Sequence, residues 1–185
     1  MSTVYTLNGK VLKNAANDKW LTKKEVAPGP LVPDYTIRMK VTAGGVPTSY
    51  ATGFSATQVA GETDVWDVSC AKADFNNTLT QSGNIRTILE EIIALNAGDV
   101  TNLTSMFGGI TSLKVIHADN FVCDSATTVN FTFNGCGKVE TGILDTYNYL
   151  SSLPGITNHR ATFNSCGTGT VTGAAELAQI PSDWK

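Results

Sequence analysis

The chain has 185 residues and a formal net charge of −3, and its charged residues make up 16% of the total, below the roughly 25% that is typical of soluble domains. This length accommodates one medium domain or a small domain with an additional module. The absence of a basic cluster argues against nucleic acid or an anionic membrane as a partner, and no apolar run in the sequence is long enough for membrane insertion as a helix.

The N-terminal segment, residues 1–26, begins with a pattern that predicts a β-hairpin. Asn8-Gly9 lies between two short alternating runs, and this dipeptide favours a tight type I′ turn. A hairpin of this size is not stable alone in water, so we predict that it packs on a partner chain as an anchor. The alternative is that it forms the first hairpin of the following domain. The candidate anchor residues are Tyr5, Leu7, Val11 and Trp20.

A proline-rich stretch separates this segment from the rest of the chain. Residues 27–33 contain three prolines, a composition that is typical of a semi-rigid linker. The N-terminal segment is therefore expected to act as a tether.

A β-rich domain is predicted over residues 34–98. Its first strand alternates between apolar and polar side chains, and a second strand is predicted near Val65–Val68, with Trp66 and Val68 on its buried face. The apolar members of the first strand are Tyr35, Ile37, Met39 and Val41.

A helix is predicted from Asn84 to Leu95, at the end of this domain. Apolar residues recur at helical spacing, Asn84 is a suitable N-cap, and Gly98 follows as a stop signal. Its position suggests that it caps the domain that follows.

Three related segments occupy much of the remaining chain, residues 99–185. They read VTNLTSMFGGITSL, ATTVNFTFNGCGKV and ITNHRATFNSCGTG, and their phenylalanines, Phe107, Phe133 and Phe163, are 26 and then 30 residues apart. A period in this range is typical of a solenoid, in which each unit buries its apolar face against its neighbours. The candidate repeat-core residues are Val100, Leu103, Phe107, Leu113, Val129, Phe133, Cys136, Ile156, Phe163 and Cys166.

The spacing of the apolar residues within each segment predicts a short helix that ends in a turn. A short strand is predicted after two of the segments, over residues 113–116 and 139–143, so the unit is helix, turn and short strand. Offsets of 0, 3, 7 and 10 keep side chains on one helix face, and Asp99, Ser125 and Gly155 stand where N-caps are expected. Residues 173–178 are predicted to cap the C-terminal end of the array.

The first of these segments, residues 100–113, resembles the unit of the BspA-like leucine-rich repeats, which reads roughly V-T-N-M-x-x-M-F-x-G-C-x-S-L. FNGC (133–136) and FNSC (163–166) keep the phenylalanine-to-cysteine core of that unit. The resemblance extends over about residues 100–172. It implies an α+β fold in which a small N-terminal β portion precedes a short leucine-rich-repeat-like solenoid of about three helix-turn-strand units.

A wider set of motifs is similar to short repeat proteins encoded by phages and mobile elements of gut Bacteroidetes. The motifs are Leu7–Leu12 with Lys19-Trp20, then Tyr35–Arg38, Val65–Val68, and Leu95–Ala97 followed by VTN. This resemblance implies a virion fibre or decoration protein.

No catalytic, cofactor or metal site is predicted. His117 and His159 are not accompanied by a serine or cysteine nucleophile, and His159 is expected in the core or at the edge of the repeats. The cysteines lack zinc-site spacing, so structural thiols are favoured over disulfides or metal ligands. The four cysteines are Cys70, Cys123, Cys136 and Cys166.

Three aromatic residues are expected in loop or tail positions, where their rings could stack on a sugar. They are Tyr147, Tyr149 and Trp184, and packing between the repeats is the alternative for the two tyrosines.

The sequence therefore predicts a non-enzymatic phage virion structural protein, either a head fibre or capsid decoration protein or a tail fibre component. Its expected partners are other virion proteins, bound through residues 1–26, further copies in a symmetric homo-oligomer such as a trimer, and a host surface protein or glycan. The first residues lack the features of a signal peptide, as expected for assembly in the host cytoplasm. The alternative is a bacterial cell-surface leucine-rich-repeat adhesin that binds host protein or glycan.

Overall fold

The computed structural model describes residues 33–185, together with the backbone pairing of two short strands in the N-terminal segment. These strands, β1 (Thr6–Leu7) and β2 (Lys10–Val11), pair antiparallel, which confirms the hairpin pairing predicted from the sequence. The side chains of the candidate anchor residues and linker residues 27–32 lie outside the described residues. These anchor residues are Tyr5, Leu7, Val11 and Trp20.

A six-stranded sheet organises the described chain, in the order β4-β5-β3-β6-β7, with β8 also paired to β6. The pairs among β3, β4, β5 and β6 are antiparallel, whereas β7 and β8 each run parallel to β6. The strands are β3 (Thr36–Val41), β4 (Ser55–Gln58), β5 (Val65–Ser69), β6 (Leu89–Asn96), β7 (Val115–Ile116) and β8 (Phe121–Val122).

Four helices accompany the sheet, so the α+β class is confirmed. Within residues 33–185, no helix is long and apolar enough to cross a bilayer. The helices are α1 (Asn77–Gln81), α2 (Ile85–Ile88), α3 (Ile143–Ser152) and α4 (Val171–Ala178), and short 3₁₀ turns occur at Lys72–Asp74, Ala118–Asn120 and Ser182–Trp184.

The first predicted strand is confirmed as β3, in the middle of the sheet. Ile37, Met39 and Val41 are buried on one face. Opposite them on β5, Val68 is buried beside Ile37, and Trp66 is half-buried beside Met39. Period-two alternation identified this strand correctly because the strand is regular and half-buried.

The helix predicted from Asn84 to Leu95 is wrong over most of its length. Only Ile85–Ile88 is helical, and the chain then continues as β6. Two register shifts interrupt the pairing of β6 with β3, so that burial recurs at Leu89, Ile92 and Leu95. Such bulges insert an extra residue into a strand, and the resulting spacing of three imitates a helical stripe.

Asn84 does not cap a helix through its side chain. Its amide oxygen accepts a hydrogen bond from the Thr48 backbone at 2.7 Å, and its amide nitrogen donates to the carbonyl of Val46 at 2.9 Å. Asn84 therefore stabilises the loop that follows β3 through these two hydrogen bonds.

The helices predicted to open the repeats are also wrong, because turns occupy these positions. Asp99, Ser125 and Gly155 therefore cap no helix there. Asp99 instead accepts hydrogen bonds from the Tyr35 hydroxyl and from Lys72. The strand predicted over residues 113–116 is confirmed at Val115–Ile116. The strand predicted over residues 139–143 is wrong, because Thr141 makes only an isolated bridge and α3 begins at Ile143.

Candidate functional site

Backbone hydrogen bonds join consecutive repeats in a regular ladder. In the first two repeats, alternate N–H groups donate to carbonyls of the next repeat, while most of the intervening ones donate to a carbonyl three residues earlier. This alternation satisfies the backbone without a helix, half within the repeat and half between repeats. From the first repeat to the second, the donors Leu103, Ser105, Phe107 and Gly109 reach the carbonyls of Thr128, Asn130, Thr132 and Asn134 at 2.7 to 2.9 Å.

Each repeat contains two residues in the left-handed backbone region, at equivalent positions. Such residues interrupt a right-handed helix. This explains why the repeats form turns although their apolar residues have the spacing of a helix. The first position holds Ser105, Phe131 and Ala161 with φ of 57°, 57° and 52°, and the second holds Gly109, Gly135 and Ser165 with φ of 71°, 75° and 57°.

The aligned phenylalanines form a ladder of stacked rings. Phe107 and Phe133 have ring centroids 5.3 Å apart and planes inclined by 16°, and Phe133 and Phe163 are 5.7 Å apart at 4°. All three rings are buried. The sequence register built on these residues therefore brings them together in space.

Nine of the ten candidate repeat-core residues are buried, and the remaining one, Ile156, is half-buried against the same hydrophobic cluster. That cluster also contains residues of β3 and β6, so the repeats and the sheet share one core. The nine buried residues are Val100, Leu103, Phe107, Leu113, Val129, Phe133, Cys136, Phe163 and Cys166.

The C-terminal end of the ring ladder is covered by Trp184. Its carbonyl accepts the N–H of Phe163 at 2.9 Å, and its ring stacks on His159 with centroids 4.3 Å apart. Trp184 is only 6% exposed, so its predicted exposure in a tail is wrong. His159 is half-buried at the edge of the last repeat, where the sequence placed it.

The opposite end of the array is covered in part by side chains of α1 and by Arg86 of α2. The Thr80 hydroxyl donates to the carbonyl of Met106, and the Gln81 amide donates to that of Gly108 at 2.8 Å. Arg86 reaches the carbonyl of Gly109 at 3.4 Å. Sequence reasoning missed these contacts, since threonine and glutamine carry no pattern that marks an end-capping role.

The two tyrosines expected in a loop lie on α3 and pack against the protein. Tyr147 meets Trp184 edge-on at 5.3 Å, and Tyr149 meets Phe121 edge-on at 6.2 Å. The hydroxyl of Tyr149 also accepts the backbone N–H of Cys123 at 3.0 Å. Their alternative role as packing residues is therefore the correct one, and the argument for sugar stacking on exposed rings loses its basis.

An uncharged polar surface runs along the outside of the repeats, and we name it the Asn/Thr ladder. Parallel β-bridges link Asn102 to Thr128 and Thr128 to Asn158, so these side chains recur once per repeat. The amide of Asn158 lies 3.5 Å from the Thr128 hydroxyl. The exposed threonines beside them, Thr101, Thr127 and Thr157, complete the surface. Its hydroxyl and amide groups can donate and accept hydrogen bonds without a charge.

An open cleft of about 560 Å³ lies beside β7, between the 3₁₀ turn Ala118–Asn120 and α3. His117 lines it, and its Nε2 lies 3.7 Å from a carboxylate oxygen of Glu91, whose other oxygen accepts from Lys40 at 2.9 Å. The carboxylate of Glu91 raises the pKa of His117. The contacts with His117 and Lys40 in turn lower the pKa of Glu91 to about 2.

The polar chemistry of this cleft comes mainly from charged groups, since His117 in its lining is paired with Glu91 outside it. Asp119 and Asp145 add carboxylates to its lining. Within residues 33–185, no group of three histidine, cysteine or carboxylate side chains could hold a metal ion.

The four cysteines are free thiols and all are buried, as the sequence predicted for structural residues. Burial raises the pKa of Cys70 and Cys123 to about 11 and that of Cys136 to about 12. Thiols with such raised pKa values are poor nucleophiles at neutral pH. Cys136 instead donates to the carbonyl of Phe107 at 3.0 Å.

Comparison of the chain with protein-family models, curated proteins and solved structures gave no match.

Proposed function

We propose that this protein is a non-enzymatic structural component of a phage virion, built around a short solenoid of the BspA-like leucine-rich-repeat type. The observation that supports the solenoid most directly is the stack of Phe107, Phe133 and Phe163, joined by the backbone ladder. A stack of this kind buries an apolar interior between repeats and leaves a regular outer surface.

In this proposal, the two parts of the chain have different tasks. Residues 1–26 attach the protein to a capsid or tail protein, and the sheet with its repeats projects outward as a fibre or decoration. The Asn/Thr ladder is the displayed surface. A low density of charge and buried, unreactive thiols suit a protein that remains exposed outside the cell.

The attachment task is tested by substituting Trp20 in the full-length protein. Trp20→Ala should reduce the number of copies bound per purified particle, because a large aromatic anchor contributes strongly to a small interface. Tyr50→Ala provides the matched control, since Tyr50 is an aromatic residue 88% exposed outside the predicted anchor. Equal occupancy of the two variants and the parent protein on particles would remove the anchor from the proposal.

The Asn/Thr ladder also supports a second candidate function, a bacterial cell-surface adhesin that binds a glycan. Its repeated hydroxyl and amide groups match the hydroxyl groups of a sugar chain in their hydrogen-bonding capacity. A glycan array probed with the full-length protein and with Asn158→Ala distinguishes the two functions. Binding that is lost in the variant favours the adhesin, and the absence of any binding above background favours the virion protein.

A further inference from the structure

One edge of the first repeat carries backbone N–H and carbonyl groups whose equivalents in the second and third repeats are hydrogen-bonded to a neighbouring repeat. In the second repeat, Thr128 donates its N–H to the carbonyl of Thr101 at 3.1 Å, and its carbonyl accepts from Leu103 at 2.9 Å. Asn158 makes the same two bonds in the third repeat, at 3.2 and 2.8 Å. Asn102 holds the equivalent position in the first repeat, and its N–H and carbonyl have no partner among residues 33–185.

The neighbouring carbonyls along the same edge differ in how they are satisfied. Those of Met106 and Gly108 accept hydrogen bonds from the side chains of Thr80 and Gln81. The carbonyl of Thr104, like that of Asn102, has no partner within residues 33–185. Side chains thus satisfy the carbonyls at one end of this edge. From Asn102 to Thr104 the edge is open, since the carbonyls of these two residues have no partner within residues 33–185, and this span is long enough for one short strand to pair with it.

Asn102, at one end of this open span, lines a shallow groove of about 470 Å³ together with Thr101. Phe75 and Val100 are buried beneath it, and Asn76 and Lys72 border it. Lys72 is held in place by an ion pair with Asp99 at 2.6 Å. A groove with an apolar floor and open backbone donors and acceptors along one side fits an added β-strand, which binds through main-chain hydrogen bonds.

We propose that the N-terminal ribbon of this same chain, strands β1 and β2, docks in the groove and pairs with Asn102 as an additional rung of the ladder. A two-stranded ribbon of this size is marginally stable alone and requires a surface on which to pack. The groove offers such a ribbon an apolar floor and, at Asn102, a backbone N–H and carbonyl with which a strand can pair.

The described part of the chain begins next to the groove, which favours the protein's own ribbon over other occupants. Tyr35, two residues after Pro33, donates its hydroxyl hydrogen to Asp99, and its ring meets Phe75 edge-on with centroids 6.0 Å apart. The 21 residues between Val11 and Pro33 span roughly 70 Å when fully extended, more than the diameter of a folded chain of this length. Tethering at this distance gives the ribbon a high effective concentration at the groove.

This inference concerns the free protein and does not depend on the proposed virion function. A ribbon has two outer edges, so the docking of one leaves the other available to a partner. The experiment below reports only on contact between the ribbon and the groove, and particle attachment is measured separately.

Cysteine cross-linking in the full-length protein tests the docking. Asn102→Cys is combined with Thr6→Cys or with Val11→Cys, one position on each strand, and the native cysteines are all buried and so are slow to react. Asn158→Cys replaces Asn102→Cys in the matched control, because it is the same residue type at the opposite end of the same ladder. Docking predicts an intramolecular disulfide with Asn102→Cys for at least one of the two strands and much less with Asn158→Cys, as measured by peptide mapping under non-reducing conditions.

Two results would overturn the proposal. Equal cross-linking at the two ladder ends would mean that the ribbon has no preference for the groove. Cross-links that form only between molecules would assign the groove to the ribbon of a second copy.

Amide hydrogen exchange on the unsubstituted chain provides a second measurement that needs no new cysteine. Docking predicts that the Asn102 N–H exchanges slowly, and that Thr6→Pro, which removes a donor from β1 and disfavours a strand, accelerates its exchange about tenfold or more. The N–H of Thr128 is bonded within the described repeats and should not change. Fast exchange of Asn102 in the parent protein would contradict docking.

Discussion

The backbone N–H of Phe163 donates a hydrogen bond to the carbonyl of Trp184 at 2.9 Å, in the position where Phe133 donates to Thr162 and Phe107 donates to Thr132. The carbonyl of Trp184 therefore accepts the hydrogen bond that a carbonyl of the next repeat accepts in the first two repeats. Its ring covers the end of the phenylalanine ladder and stacks on Phe163, with centroids 6.3 Å apart. The array is thus closed at this end by the chain's own C-terminal residues.

Trp184→Ala should lower the free energy of unfolding by about 3 kcal/mol, because it removes a buried ring and uncovers the last repeat. Urea denaturation of the full-length protein measures this change. Tyr50→Ala is the control, since Tyr50 is 88% exposed and its loss should change stability by less than about 0.5 kcal/mol. Similar stabilities for the two variants would show that Trp184 does not close the array.

Phe133→Ala should cost roughly 3–5 kcal/mol, because this ring stacks between two others in the interior of the repeats. Phe131→Ala is a close comparison, since Phe131 is half-buried two residues away and contacts the Arg160 guanidinium at 5.8 Å from its ring centre. We expect a clearly smaller loss for Phe131→Ala in the same denaturation experiment. A loss below about 1 kcal/mol for Phe133→Ala would contradict the stacked register.

Ser165→Gly should stabilise the protein by about 1 kcal/mol, because a serine in the left-handed region is strained and glycine is not. Ser165 has a φ of 57° at the position that Gly109 and Gly135 hold in the other repeats. Ser151→Gly, in the exposed surface of α3, provides a control with the opposite sign, since glycine destabilises a helix by about 1 kcal/mol. Thermal unfolding that ranks Ser165→Gly below the parent protein would show that the turn is not strained.

The ion pair of Glu91 with His117 and Lys40 makes stability depend on pH. The pKa of Glu91 is lowered from 4.5 to about 2, so its stabilising contribution is fully present above about pH 4.5 and is lost as the pH falls toward 2. The pKa of His117 is raised from 6.5, so its contribution is present below pH 6.5 and is lost as the pH rises through the raised value.

Glu91→Gln should therefore return the pKa of His117 toward its ordinary value and flatten the loss of stability below about pH 4.5. An NMR titration of His117 and denaturation at several pH values measure the two effects. Asp119→Asn is the comparison, because Asp119 is a lesser cause of the shift in His117. An unchanged titration of His117 in Glu91→Gln would mean that the pair does not form in solution.

The sequence predicted β3 and the register of the repeats well, for a physical reason. The alternation of Ile37, Met39 and Val41 reflects a regular strand, and the recurring phenylalanines reflect rings that stack on one another. In both cases, one periodic contact determines the spacing along the chain.

The helix predicted over residues 84–95 was wrong over most of its length, and those predicted in the repeats were wrong, because a bulged strand and a series of turns give apolar residues the same spacing as a helix. The bulges of β6 produce burial at every third residue, and the turns of the repeats bring residues such as Leu103 and Phe107 to one side without a helix. Local periodicity does not distinguish these cases, since the deciding hydrogen bonds come from residues distant in sequence. Trp184 was missed for the same reason, because its contacts with Phe163 depend on how the C-terminal residues fold back.

The most direct test of the proposed virion role is immunogold electron microscopy with an antibody to this protein, applied to purified phage particles and to cells from the same culture. The proposal predicts gold label on particle heads or tails, and its position distinguishes a head fibre or decoration protein from a tail fibre component. Label confined to the bacterial envelope would contradict the virion role and favour the cell-surface adhesin.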